Sequence, residues 1–252
     1  MLNYKMTEKI SVVKSRKTSP LLSLMMTVYN EEKNLKRVYE KCRDILKKAK
    51  ISYEIIFIEG GSNDNSWKIL QDLAKKNKDC KVLQAEMEPG RKANAAIKIA
   101  NGKYFAFMCS DGQDSPTVLP RCIRLLEEDK ADFVKGKRNS RNNWQRKIIS
   151  LIYNNLVKIL FGMKINDING HPKVFRSALL KGKKLLCINE SVDLEIVLRA
   201  HSKGYRIVEV PVIEINRKGG KSSVNSLVVL KFLLDTISFK WGSKKSALSQ
   251  NS

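Results

Sequence analysis

The 252-residue sequence has only two histidines, six prolines and five cysteines, and sets 25 acidic residues against 48 basic ones. Each shortage removes a class of protein. Cys42, Cys80, Cys109, Cys122 and Cys187 are odd in number and widely spaced, with no C-x-x-C pair, so they read as reduced core thiols rather than a zinc site or disulfide frame. No apolar run reaches the roughly 18 residues of a membrane-spanning helix, because Lys231 and Asp235 interrupt the best candidate, Leu227 to Phe239. Lys5, Glu8, Lys9, Lys14, Arg16 and Lys17 are scattered through the first residues with no apolar core among them. They do not read as a signal peptide, and the chain is expected to stay in the cytosol. A G-x-x-x-x-G-K-[ST] loop is missing, and Thr27 to Glu32 stands where a G-x-G-x-x-G turn would follow the first strand. A P-loop kinase or hydride-transfer enzyme is thereby disfavoured.

What is present is a core-forming chain, 42% hydrophobic, of a length that suits one large α/β domain or two small ones. The formal charge is +23, with +7 in residues 1–132 and +16 in residues 133–252. Lys135, Lys137, Arg138, Arg141, Arg146 and Lys147 form one basic run, and Arg217, Lys218 and Lys221 another. Nucleic acid, anionic lipid headgroups and phosphorylated small molecules all attract such a surface, and a solvated lysine-rich face carries the same composition.

Residues 1–19 read as a loose tail. The apolar run Leu21 to Val28 is a strand buried on both faces, followed by a helix capped by Asn30, with Leu35, Val38, Tyr39, Cys42, Ile45 and Leu46 at three- and four-residue steps. The alternation continues through a strand at Glu54 to Ile58, a helix from Asn65 to Lys78, a strand at Lys81 to Ala85 and a helix from Arg91 to Ala100. A strand at Tyr104 to Met108, a helix from Pro116 to Glu128 and a strand at Asp132 to Val134 follow. This pattern predicts a parallel sheet covered on both faces, with ligands beyond the carboxyl ends of its strands.

Taken in order, V-Y-N-E-E (28–32), I-E-G-G-S-N-D (58–64), F-M-C-S-D-G-Q-D-S-P (107–116), N-D-I-N-G-H-P-K-V-F (166–175) and Y-R-I-V-E-V-P-V (205–212) resemble family-2 glycosyltransferases of the GT-A fold. Within that family the likeness is to polyprenyl-phosphate sugar synthases, and it covers about Leu21 to Val224. It implies a Rossmann-like, mostly parallel sheet flanked by helices, over residues 20–223, with a C-terminal amphipathic helix and tail over 224–252. It also implies an inverting transfer from a nucleotide sugar, with a guanosine or uridine diphosphate leaving group, to a polyprenyl phosphate. A glycan acceptor, or a non-catalytic descendant of the fold, is the alternative.

A departing diphosphate needs positive charge, and hard oxygen ligands suit Mg²⁺ or Mn²⁺. The family's D-x-D-x-Q falls here on Cys109, Asp111 and Gln113, so the resemblance implies Asp111 and Gln113 as metal ligands and a thiol where the first carboxylate would stand. Helix capping is the other duty open to Asp111, and the favoured one for Asp114. The family's D-D-G-S becomes Glu59-Gly60-Gly61-Ser62, which removes one acid from the base and ribose site. Tyr29, Glu31, Glu59, Ser62, Arg91, Lys92, Asp111, Gln113 and Asp167 are the implied nucleotide-sugar contacts. Arg91 and Lys92 lie at a helix start suited to an anion.

On the acceptor side the resemblance places Asp193 and Glu195 at the reaction centre, with Asp111 and Arg217. Arg138, Arg217, Lys221 and Ser222 are implied to hold the acceptor phosphate. A sugar hydroxyl would need one of the acids as a general base; an ionised lipid phosphate would not. Ile148 to Met163 and Val224 to Trp241 are apolar helices with basic flanks, suited either to a core or to the membrane surface. A peripheral position on the cytoplasmic face, with a membrane-protein partner possible in the same place and no nucleic acid, is expected.

Overall fold

The computed structural model describes residues 10–11, 19–138, 144–189, 191–213 and 226–241. Its centre is β2 (Leu22–Val28), buried on both faces, as its unbroken apolar run requires. Parallel to β2 lie β3 (Tyr53–Glu59) on one side and β5 (Tyr104–Cys109) on the other, with Leu24 opposite both Ile55 and Ala106. β4 (Cys80–Gln84) extends the parallel sheet beyond β3. In the segment read as a loose tail, β1 (Ile10–Ser11) pairs antiparallel with that edge. On the other flank the sheet becomes mixed. β7 (Lys173–Arg176) runs antiparallel to both β5 and β6 (Phe133–Arg138), and β8 (Ile207–Val212) is parallel to β6. The full order is β1-β4-β3-β2-β5-β7-β6-β8.

Side chains alternate along each strand, and this alternation divides the core. Leu24 and Met26 face α1 (Leu35–Lys48), α2 (Ser66–Lys76) and α4 (Leu119–Glu127), packing with Tyr39, Leu46, Leu70 and Leu126. Met25 faces the other way, into a cluster with Ala96 of α3 (Pro89–Ile99), Val157 of α5 (Trp144–Phe161) and Val197 of α6 (Val192–Ser202). Where the sheet turns mixed, Phe133 and Phe175 stack across neighbouring strands, centroids 5.1 Å apart and planes 8° from parallel. Such a pair adds roughly 0.5–1.5 kcal/mol to its burial.

Two boundaries differ from the sequence expectation for physical reasons. Asn30 does not cap α1; it sits in the preceding turn at φ 53°, where its side-chain oxygen accepts from Asn63 N at 2.9 Å, and Asn34 takes the cap position. β6 extends to Arg138 through Lys135, Gly136 and Lys137, a basic stretch that reads as surface; Lys137 is exposed, but Lys135 is buried and Arg138 bonds to the buried Asp167.

α5 carries apolar side chains on both its buried and its outward faces. Tyr153 and Val157 are buried, whereas Ile148, Leu151, Ile152 and Ile159 point outward, Ile159 with 81% of its surface exposed. α7 (Ser226–Trp241) buries Thr236 and Phe239 and exposes Leu234, Ile237 and Trp241. Among the described residues no helix is long and apolar enough to cross a membrane.

Candidate functional site

The strand order reverses between β2 and β5, which places a crevice beyond their carboxyl ends. One side is stitched by its own polar residues. Asn30 N donates to Ser62 Oγ at 2.9 Å, and Ser62 N donates to Glu59 Oε1 at 2.5 Å. Gln84 Nε2 adds a second donor to Glu59 at 3.1 Å, so this carboxylate, 1% exposed, holds the turn after β3. Glu31 is also buried, accepting from Asn34 Nδ2 at 2.7 Å, while Tyr29 is exposed beside it.

Gly60 is explained by Lys92. A Cβ at Gly60 would lie 2.7 Å from Lys92 Nζ and 3.2 Å from its Cδ. The buried lysine of α3 therefore occupies the space next to the turn that a second acidic side chain would need. Its neighbour Arg91 is turned away, to Glu86 at 3.0 Å and Glu88 at 3.7 Å. Arg91 borders a groove of about 820 Å³ between α3 and Lys181 to Lys184, whose lining contains none of Asp111, Asp114 or Asp193.

The chemistry-bearing groups gather at the end of β5. Asp111 Oδ1 accepts from Gln113 N at 2.9 Å, and Asp114 Oδ2 from Cys109 N at 2.8 Å, so Asp114 closes the turn and does not cap the helix that follows. Across from them comes the loop ahead of β7. Gly136 lets it approach, since a Cβ there would collide with the His171 carbonyl. His171 Nδ1 lies 3.6 Å from Cys109 Sγ, and its Nε2 lies 3.2 Å from Asp193 Oδ1 at the start of α6. Lys173 Nζ, fully buried, donates to the same Asp193 oxygen at 2.7 Å.

The electrostatics follow from these contacts. Burial, with Asp114, Asp111 and Asp193 close by, pushes the Cys109 thiol well above its usual range, so it is a neutral thiol at pH 7. Burial alone would raise Asp193 too, but His171 and Lys173 outweigh it and hold that carboxyl well below the usual carboxylate range. The Asp111 carboxylate and the Gln113 amide are hard oxygen donors by type, which fits a divalent cation shared with a diphosphate.

Other expected site residues are occupied differently. Asp167 and Arg138, assigned to donor and acceptor, grip each other: Arg138 Nη2 reaches Oδ1 at 2.6 Å and Nε reaches Oδ2 at 2.8 Å. The acidic pair at the start of α6 is split, because residues two apart on a helix face nearly opposite ways. Glu195 is 0% exposed, accepts from Leu186 N and Cys187 N, and pairs with buried Arg199 at 2.7 Å. It is thus an anchor for the 185–187 segment, not a partner of Asp193. Arg217, Lys221 and Ser222 lie outside the described residues.

Two residues at the site escape a reading of the sequence. Lys173 opens a short apolar strand, and nothing in K-V-F-R says that it is buried. Asn154 did leave a signal: with Asn155 it interrupts an apolar stretch of α5, and its Oδ1 accepts from Ile168 N at 3.0 Å, tying α5 to the loop that carries Asp167 and His171.

Comparison with known proteins agrees with this architecture. Undecaprenyl-phosphate 4-deoxy-4-formamido-L-arabinose transferases of Proteus mirabilis and Serratia proteamaculans are 25% and 24% identical to the chain over 220 and 219 residues. The match covers 86% of this chain and 66% of each relative's length, slightly under two thirds. Among solved structures, glucosyl-3-phosphoglycerate synthase of Mycobacterium tuberculosis with phosphoglyceric acid superposes at a TM-score of 0.72, with 12% identity, covering 88% of this chain and 80% of that one. The same synthase with Mn²⁺, uridine diphosphate and glucosyl-3-phosphoglycerate gives 0.68, with 14% identity and 86% and 80% coverage. The model of the family described as "Glycosyl transferase family 2" matches residues 23–182, most of the chain, and the chain belongs to that family.

Proposed function

We propose that the protein transfers a sugar from a nucleotide-sugar donor to a polyprenyl phosphate, with inversion at the sugar C1, at the cytoplasmic face of a membrane. The observation that carries the acceptor assignment is the state of the candidate bases. Asp193 is held as a carboxylate by Lys173 and His171 and is a weak proton acceptor, and Glu195 is sealed against Arg199. His171 has one ring nitrogen against Cys109 and the other against Asp193 and Lys173. Among the described residues, these groups suit an acceptor that arrives already ionised better than a sugar hydroxyl that must lose a proton.

The donor lies beyond β2, β3 and β5, with Tyr29, Glu31, Glu59 and Ser62 toward the nucleoside and Lys92 beside the Gly60 turn. The relatives' undecaprenyl-phosphate acceptor and the uridine diphosphate of the structural neighbours support a polyprenyl phosphate and a uridine donor. Asp111 and Gln113 would hold a divalent ion, which would supply positive charge against that developing on the departing diphosphate. Contacts to the acceptor phosphate fall to Arg217, Lys221 and Ser222. The outward Ile148, Leu151, Ile152 and Ile159 of α5 and Leu234, Ile237 and Trp241 of α7 support a peripheral seat on lipid. Purified protein is expected to glycosylate undecaprenyl phosphate from a UDP-sugar panel with Mg²⁺ or Mn²⁺, and Asp111→Ala to lower that rate by at least about 100-fold. Transfer to a glycan hydroxyl but to no lipid phosphate would overturn the acceptor assignment.

A further inference from the structure

Three ligand-type atoms from separate segments meet beside Asp111. Cys109 Sγ, a carboxylate oxygen of Asp114 and a ring nitrogen of His171 all lie within 4.8 Å of one another. Cys109 comes from the end of β5, Asp114 from the turn after it, and His171 from the loop before β7. The Cys109–His171 separation of 3.6 Å is already what a tetrahedral ion would set, since bonds of about 2.3 Å to sulfur and 2.0–2.1 Å to nitrogen place those two atoms roughly 3.5 Å apart.

The surroundings of His171 select which nitrogen is available. Nε2 lies 3.2 Å from the Asp193 carboxylate and 3.3 Å from Lys173 Nζ; because Lys173 donates to Asp193 at the shorter 2.7 Å, the tautomer we assign carries its proton on Nε2 and turns the Nδ1 lone pair to Cys109. A metal-bound histidine commonly has such a carboxylate behind it, fixing ring and tautomer. Lys173 at 2.7 Å keeps Asp193 charged and in place.

We propose that Cys109, His171 and Asp114 bind a thiophilic divalent cation, of the zinc or cobalt class, with its remaining position open toward the crevice. One sulfur, one nitrogen and one oxygen ligand with a vacant fourth position is the pattern of a catalytic ion rather than a structural one. An ion of this class takes thiolate and imidazole readily, whereas Mg²⁺ prefers oxygen. Binding displaces the thiol proton to solvent. The ion's use in the reaction rests on the transfer proposed above; its binding does not.

The test uses the full chain, stripped with a chelator and titrated with Co²⁺ alone, without donor or acceptor. One equivalent is expected to give the near-ultraviolet thiolate-to-cobalt band and the visible bands of a tetrahedral ion. Zn²⁺ should remove them at stoichiometric amounts, and Mg²⁺ should leave them in about 100-fold excess. Cys109→Ser should lose the thiolate band, and Asp193→Asn should weaken Co²⁺ binding by about 10–100-fold. Cys109→Asp, which restores an oxygen ligand, should bind without the band and let Mg²⁺ compete; circular dichroism confirms that each variant folds. Absence of the band in the parent protein, its persistence in Cys109→Ser, or displacement by equimolar Mg²⁺ would each overturn the proposal. Sugar transfer without the band would sink the soft site and leave the transferase standing, and the band without transfer to any acceptor would do the reverse.

Discussion

The strand ends of the first half and the interior of the second hold their carboxylates in different ways, although deeper in the first half Glu54 pairs with Lys81 at 2.6 Å. At the ends of β2, β3 and β5, Glu31, Glu59, Asp111 and Asp114 accept bonds from backbone N–H groups and neutral side chains: Asn34, Ser62 N, Gln84, Gln113 N and Cys109 N. From β6 onward each buried carboxylate is matched to a fixed cation. Asp167 pairs with Arg138, Asp193 with Lys173 and Glu195 with Arg199, while Lys135 lies 3.5 Å from Glu209. The first arrangement fixes the turns after the strands through uncharged donors, as Ser62 N and Gln84 do for Glu59 and Cys109 N for Asp114. The second cancels its charge internally, so Lys135, Arg138, Lys173 and Arg199 add nothing to the +16 excess, which comes from the other basic residues of 133–252.

Breaking one of these pairs should produce the largest change in stability. Glu195→Ala would strand the Arg199 charge and the Leu186 and Cys187 N–H groups, at a cost of about 3–5 kcal/mol by urea denaturation. Asp111→Asn, on the other side of the comparison, is expected to leave stability within about 1 kcal/mol while ending transfer. Equal losses for the two variants would erase the distinction.

The outer and inner faces of α5 offer a smaller contrast. Val157→Ala, on the buried face, should cost about 2 kcal/mol. Ile152→Glu, at a position 62% exposed, should stay within about 0.5 kcal/mol of the parent while reducing sedimentation with anionic vesicles several-fold. A stability loss at Ile152 matching that at Val157 would show that the outer face is covered by protein. At the nucleotide end, Gly60→Ala is expected to cost about 1 kcal/mol, since the new methyl displaces Lys92. Lys92→Ala in the same chain should return part of that loss, and a non-additive double-mutant cycle is the measurement.

The first half was the more legible one because its signals are local. A buried parallel strand is an unbroken apolar run, and a turn residue follows it, so β2, β3 and β5 could be placed to within one residue at each end, while the helix cap after β2 was misplaced by four, from Asn30 to Asn34. The second half depends on contacts distant in sequence. Lys135 and Arg138 read as a solvated or lipid-seeking surface, yet their partners Glu209 and Asp167 lie about 75 and 30 residues away, and no periodicity reports such pairing. The same holds for Cys109, whose chemistry became readable only once His171 was beside it.

Lys135 provides the smallest and most specific test of that contrast. It is 0% exposed and donates to the carbonyls of Gly136 and Asp167. Burial, helped by the neighbouring Lys173 ammonium and opposed by Asp167 and Glu209, lowers its pKa to about 8. In the unfolded chain the same amine titrates near 10.4. Between those two values the unfolded state binds more protons than the folded one, so the contribution of this residue to stability rises with pH across that window. Other groups oppose the trend, because the buried thiols of Cys42, Cys80 and Cys122, each pushed up to about 12, lose stability as the unfolded thiols ionise. The comparison therefore has to be made between two chains. Lys135→Met removes only the lysine's share, and from pH 8 to pH 10 the parent should gain about 1–2 kcal/mol on the variant in urea denaturation. A constant difference across that range would mean that Lys135 keeps its proton, held by Glu209 more firmly than its burial disfavours it.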